Sequence, residues 1–370
     1  MSDLKKIFLN EFHKKNYAKF VSFAGYSMPI NYEDGIIKEH LHTRSSAGLF
    51  DISHMGQILI PFKEYNINKI YEMIPLDFKN LINNKSYYSF ILNKNGGIID
   101  DIILSKILLD NKDYILIVYN SSRKELVENL MSDRIKDILI LNEYSLIAIQ
   151  GPDSSKIMEK FDNQISNISF LETSIINYLN SDIIISRSGY TGEDGFELII
   201  SNKIINKFIE ELMFFKEIKL CGLGCRDSLR LEAGLSLYGN ELNENITPVE
   251  ANLLWAISKN RIQKLDFNGC ENIILQIKNK NYPIKIGIET LNKSILRSNM
   301  ELFNQENENI GIITSGGYSP SLNKSIGIAY VKDYSNENFK KMFCNIRNKL
   351  EEIKVSQLPF IKHNYYRRKI

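Results

Sequence analysis

The feature that most constrains this chain is a change of period along its length. In the first part, short β-rich runs alternate with segments of helical spacing: residues 57–61, 86–92, 98–104 and 114–119 read as strands and 122–135 as a helix. After residue 143 a similar order returns, with strands at 145–150, 183–188 and 195–200 and helices at 153–161 and 203–215. From about residue 284 the helical signal fades, leaving strand-like pieces at 284–289, 310–315, 325–331 and 343–347 between Asn- and Gly-rich turns. The first pattern predicts an α+β region of two related half-units, and the second a small all-β C-terminal domain. The Lys- and Asn-bearing stretch 259–282 reads as the boundary.

The length agrees, because a single core stops growing at about 250–300 residues and 370 residues should divide into two or three lobes. With 46 basic and 44 acidic side chains the net charge is +2, which gives no ground for a nucleic-acid partner or an anionic membrane. No apolar run approaches the ~20 residues of a bilayer span. Cys221, Cys225, Cys270 and Cys344 are too few and too irregularly spaced for a disulfide framework, which points to a reducing compartment. The basic, amphipathic start carries Asp3 and Glu11, which presequences avoid; it reads as a first helix, and a cytoplasmic protein is expected.

Ile, Asn and Lys crowd the spacers, so information concentrates where that bias stops. In Gly96-Gly97-Ile98-Ile99-Asp100-Asp101 two acids adjoin a β-rich run, and alternation turns them to opposite faces. One inward carboxylate could orient or deprotonate an amine, although the dipeptide alone fits a solvated pair beside a glycine turn better. The segment 188–197, SGYTGEDGFE, joins two strands through a glycine-dense hairpin. A carboxylate, Glu197, near an aromatic, Tyr190, also suits a flat heterocycle bearing an N–H and an exocyclic amine. The segment 222–234, GLGCRDSLRLEAG, enters a helix without the pattern of a phosphate loop or a dinucleotide fingerprint. Arg226, before that helix, could grip an anionic or carbonyl-bearing ligand, whereas Arg230 and Glu232 suit structural ion pairs. The five histidines show no metal spacing, so no metal is expected; His40 and His42 point apart on a helix, and His54 reads as a hydrogen-bonded turn residue rather than a catalyst.

Taken in order, the segments FAGYSMPINY, RSSAGLFDISHMGQ, NKNGGIIDD, SRSGYTGEDGFEL, GLGCRDSLRLEAGLSLYGNELNENITPVEANLLWAISK, TSGGYSPSLNKSIGIAYV and LPFIKHNYY resemble the aminomethyltransferase family, the T-protein of the glycine cleavage system. The resemblance implies a three-domain cloverleaf around a central tetrahydrofolate channel. Residues 1–275 would form two intertwined α+β lobes, split as 1–54 with 226–275 against 55–225, and residues 280–370 a jelly-roll-like β-barrel. It implies transfer of a methylene carbon from the aminomethylated lipoyl arm of H-protein to tetrahydrofolate, without a metal. Asp101 matches the family's catalytic carboxylate, and Glu197, Arg226, Tyr88, Tyr190, Tyr365, Met55 and Asn120 match folate-contacting positions. Two rivals share the cavity. A related iron–sulfur maturation factor carries Lys-Gly-Cys-Tyr-x-Gly-Gln-Glu where only Gly269-Cys270 stands here, and a folate-dependent demethylase of a small methylated compound would use the same carboxylate.

Overall fold

The computed structural model describes residues 4–332 and 341–368. Two half-units repeat one topology. In the first, strand Gly56–Pro61 leads through helix Glu64–Ile70 to an antiparallel meander of Lys85–Leu92, Ile98–Leu109 and Lys112–Tyr119, then helix Lys124–Ser132 and the short strand Leu139–Ile140. In the second, Tyr144–Gln150 leads through helix Ser154–Met158 to Thr173–Tyr178, Ser181–Ser186 and Gly195–Ser201, then helix Ile205–Leu212 and strand Ile218–Leu220. Both opening strands pair antiparallel with the last strand of their own meander. The repeat expected from the order of elements is therefore present in the backbone.

Each sheet buries one face beneath its helices. Helix Ile205–Leu212 turns Ile205, Phe208, Ile209 and Leu212 inward, spaced as one helical stripe. They join Ile147, Ile149, Phe196 and Leu198 in one apolar cluster, each buried side chain contributing roughly 1.5–3 kcal/mol. In the five-stranded sheet, Ile58, Ile60, Ile102, Leu104, Ile115 and Ile117 meet Val127 and Met131 of the overlying helix in the same way.

One strand pairing crosses the expected split of residues 1–275. Ala47–Asp51 enters the six-stranded sheet between Tyr144–Gln150 and Ile218–Leu220, in the order 173–178, 181–186, 195–201, 144–150, 47–51, 218–220. A strand from the first part of the expected split is thus hydrogen-bonded on both sides to strands of residues 55–225. The expected first helix shrinks to Asn10–Lys15, since Lys5–Lys6 and Lys19–Phe23 instead pair with Tyr26–Asn31 in a small sheet.

The stretch 259–282 is folded into helices Lys259–Lys264 and Cys270–Asn279. Arg261, fully buried, pins it by donating to the carbonyls of Tyr71, Ile74, Leu76 and Asp266 at 2.7–3.2 Å. The remaining strands close a six-stranded barrel: Ile284–Thr290, Lys324–Val331, Asn309–Ser319, Glu301–Phe303, Met342–Ile346 and Lys349–Ser356. Glu232, with no exposed surface, ties the parts together. It accepts from His40 and Arg44 of helix Gly35–Ser45 at 3.0 and 2.8 Å, and from Ser321 of the barrel region at 2.9 Å. The ion-pair reading of Arg230 and Glu232 holds, and His40 and His42 do point apart, one buried on Glu232 and the other partly buried on the Glu217 carbonyl.

Candidate functional site

Where these parts meet lies a cavity of about 670 Å³, within the size of small-molecule sites. Asp101, Glu197, Arg226, Tyr88 and Tyr190 all line it, as do Tyr365, Met55 and Asn120. Each is only partly buried, as a side chain on a cavity wall must be.

The acidic pair is the most constrained feature. Along strand Ile98–Leu109 Asp100 shares a face with Leu104 and is completely buried, whereas Asp101 shares the cavity face with Ile103. Gly97 sets the approach, because a Cβ there would overlap the Glu244 carbonyl oxygen. Ile103 pairs with Val118 across the ladder, and two steps on, just past the strand end, Asn120 stands opposite Asp101. Its Nδ2 donates to Asp100 Oδ1 at 2.7 Å and to Asp101 Oδ1 at 2.8 Å, and its backbone N–H donates to Asp100 Oδ2 at 3.0 Å. Tyr88 Oη donates to Asp101 Oδ2 at 3.0 Å. Every donor to the pair is neutral. Burial, then the neighbouring Asp101 charge, pushes Asp100 well above the carboxylate range. Burial also raises Asp101, against the lowering effect of Tyr88 and Asn120. Burial so works against charge on both acids of the pair.

Around it the wall supplies complementary chemistry. Glu197 accepts from Ser188 Oγ at 2.8 Å through Oε2. Arg226 lies in the first turn of helix Leu223–Glu232, not before it, and its guanidinium sits 4.7 Å from the Tyr190 ring centroid. Its Nη1 is buried without a hydrogen-bond partner among the described residues. Tyr190 donates to the Ser236 carbonyl, and Tyr365 stacks on Phe170 with centroids 3.9 Å apart and 6° between planes. The Met55 side chain packs against the cluster of Phe50, Ile52 and Leu59.

Other groups on this wall escaped the sequence reading. Trp255 stacks on Tyr88 at 5.6 Å yet is 68% exposed. Lys285 reaches the cavity from the barrel; in a lysine-rich chain nothing local marks it. His54 stands in the expected turn but lacks the expected hydrogen bond: buried edge-on to Phe23 and Tyr26, its Nδ1 has no partner among the described residues. Burial, then the Arg226 charge, lowers its pKa to about 3. Away from the cavity, Glu39, Cys221 and Cys225 come within reach of one another, but both Glu39 oxygens already accept backbone N–H groups, from Tyr32 at 2.6 Å and Gly222 at 2.9 Å.

Two family models match the chain, the GCVT N-terminal domain over residues 9–261 and the glycine cleavage T-protein C-terminal barrel domain over residues 285–362. The chain belongs to the glycine cleavage T-protein family. Among T-protein relatives, the mitochondrial aminomethyltransferase of Dictyostelium discoideum is 37% identical, over 98% of this chain and 94% of that protein. The mitochondrial aminomethyltransferase of Saccharomyces cerevisiae is 36% identical, over 99% and 96%. The crystal structure of glycine cleavage system aminomethyltransferase T from Bartonella henselae superposes with a TM-score of 0.92 at 33% identity, covering 99% of this chain and 100% of that one. The likeness spans the mixed α+β sheets and the barrel alike, so the T-protein architecture is kept from end to end.

Proposed function

We propose that this protein is the aminomethyltransferase of a glycine cleavage system. It takes the methylene carbon of an aminomethyl group carried on the reduced lipoyl arm of H-protein and delivers it to tetrahydrofolate, releasing ammonia and dihydrolipoyl H-protein. Full-length likeness to aminomethyltransferases supports the reaction. The observation that carries the site is Asp101, held only by neutral donors on the same wall as Glu197 and Arg226.

Tetrahydrofolate fits these residues. Glu197 Oε1 and Arg226 Nη1 stand outside any hydrogen bond among the described residues, so a pterin edge with adjacent donors and a carbonyl would satisfy both. Tyr88, Tyr190 and Tyr365 offer faces for flat rings. The bound folate supplies two nucleophilic nitrogens. Asp101 accepts the proton that the second nitrogen gives up, and Tyr88 and Asn120 fix the carboxylate that receives it. Holding carbon donor and acceptor together supplies much of the remaining acceleration. We take the two sheet units and the barrel as three leaves closing on the cavity: Asp101 comes from the first, Glu197 from the second and Lys285 from the third.

The test is turnover of tetrahydrofolate with aminomethylated H-protein, which should yield 5,10-methylenetetrahydrofolate and ammonia together. Product from a small methylated amine, with none from loaded H-protein, would transfer the assignment to a demethylase.

A further inference from the structure

Among the described residues Lys285 is the one lysine on the cavity wall. It is 7% exposed, opens the barrel strand opposite Tyr330, and donates through its backbone N–H to the Glu250 carbonyl at 3.3 Å. Its Nζ donates to Ser236 Oγ at 2.8 Å. An ammonium carries three N–H donors, and among the described residues no carboxylate lies within ion-pair distance of this one.

The charges that face it come from several elements. Glu241 is already matched, accepting from Arg230 Nη1 at 3.0 Å, Leu237 N at 2.9 Å and Thr314 Oγ1 at 2.6 Å. Arg230 is shared further with Asp227 at 2.8 Å. Glu250 lies beside the backbone of Lys285 and accepts from Thr247 N at 2.7 Å. Tyr190 and Tyr330 end on backbone carbonyls, those of Ser236 and Glu241. Asp101, on the same cavity wall as Lys285, has no cation of its own among the described residues, since its donors are a phenol and an amide. Asp101 and Lys285 thus share this wall with neither held in an ion pair among the described residues.

We propose that Lys285 is a positioning residue for the aminomethyltransferase reaction: its ammonium, presented by the barrel, keeps Asp101 ionised and able to accept a proton, and its loss of charge sets the alkaline limit of turnover. The inference rests on the function proposed above. Its physical basis is Coulomb attraction between groups withdrawn from bulk solvent, where charges act on one another more strongly than in water. Burial lowers Lys285 to about 8, with Glu241 and Asp101 resisting the fall and Arg230 adding to it. The amine therefore changes charge close to working pH. The coupling is mutual, so removing either charge must move the other's titration.

Two experiments test this. In the folate-free protein, the Lys285 side-chain nitrogen resonance, assigned by its loss in Lys285→Arg, should titrate with a midpoint of about 8, and Asp101→Asn should lower that midpoint. An unmoved midpoint overturns the coupling, whatever the enzyme's reaction. In turnover, Lys285→Met should lower kcat about tenfold, the effect of one pKa unit on Asp101, raise the acidic limb of the pH profile and change the folate KM less. Lys285→Arg should recover kcat relative to Lys285→Met and carry the alkaline limb upward. Both limbs unchanged in Lys285→Met would overturn the proposal. A wild-type enzyme without turnover would instead refute the functional reading, while the resonance titration would still decide the coupling.

Discussion

The side-chain amide of Asn120 lies 2.8 Å from Oδ1 of Asp101 and reaches the neighbouring Asp100 with the same nitrogen. One neutral group thereby holds two adjacent acids, one buried and one on the cavity wall, and the charge of the pair depends on it. Asn120→Leu should withdraw both hydrogen bonds and leave the carboxylates to titrate higher. Each hydrogen bond to a charged group is worth about 1.5–3 kcal/mol, so kcat at neutral pH should fall about tenfold or more, and the acidic limb of its pH profile should rise. A pH series of kcat on the purified variant checks this.

If the proposed function holds, Glu197 and Arg226 should serve binding more than the chemical step. Glu197→Gln replaces an acceptor with a mixed donor and acceptor, and should raise the Kd for reduced folate about ten- to a hundredfold, the loss expected for one charge-assisted hydrogen bond. The same variant should change kcat by a smaller factor. Calorimetric titration with folate alone separates the two effects.

Trp255 is the only tryptophan in the chain, stacked on Tyr88 at the cavity wall and 68% exposed. Its emission should be red-shifted in the free protein and should change in intensity when folate fills the cavity. Tyr88→Leu should remove the stacking partner and reduce that response. Fluorescence titration, corrected for folate absorption, makes the measurement.

Glu232 predicts how the architecture responds to acid. Burial alone would raise its carboxyl, but hydrogen bonds from His40 and Ser319 and the Arg44 charge outweigh burial and lower it to about 2. The unfolded chain holds this proton more tightly than the fold does. The stabilisation is complete above the ordinary carboxyl pKa of about 4.3 and is lost as pH falls through about 2. Glu232→Gln should therefore cost about 3 kcal/mol at neutral pH, with the difference from wild type shrinking below pH 4. Denaturant unfolding at several pH values tests both the size and the sign.

Local chemistry explains which features could be read from the sequence. The strand through Asp101 was legible because Ile98, Ile102 and Leu104 keep period two, and that period alone puts the two acids on different faces. Helix Lys124–Ser132 showed itself through Val127 and Met131. Tertiary context hid the rest. The strand Lys349–Ser356 is rich in Lys and Glu and is a strand because the barrel needs it to close. The joining of Ala47–Asp51 to Tyr144–Gln150 spans about a hundred residues that no local window sees. Lys285 matters through Asp101, Glu241 and Ser236, all far from it in sequence.

The account turns on Asp101 taking part in the chemistry of a cavity that holds reduced folate. The most direct test pairs two readings on Asp101→Asn, folate Kd by titration and methylene transfer from aminomethylated H-protein in a single turnover. The account predicts a Kd within about threefold of wild type, less than the 1.4 kcal/mol of a tenfold change, and a transfer rate lower by about a hundredfold or more, the range of a lost general base. Near-native transfer with intact binding would contradict it.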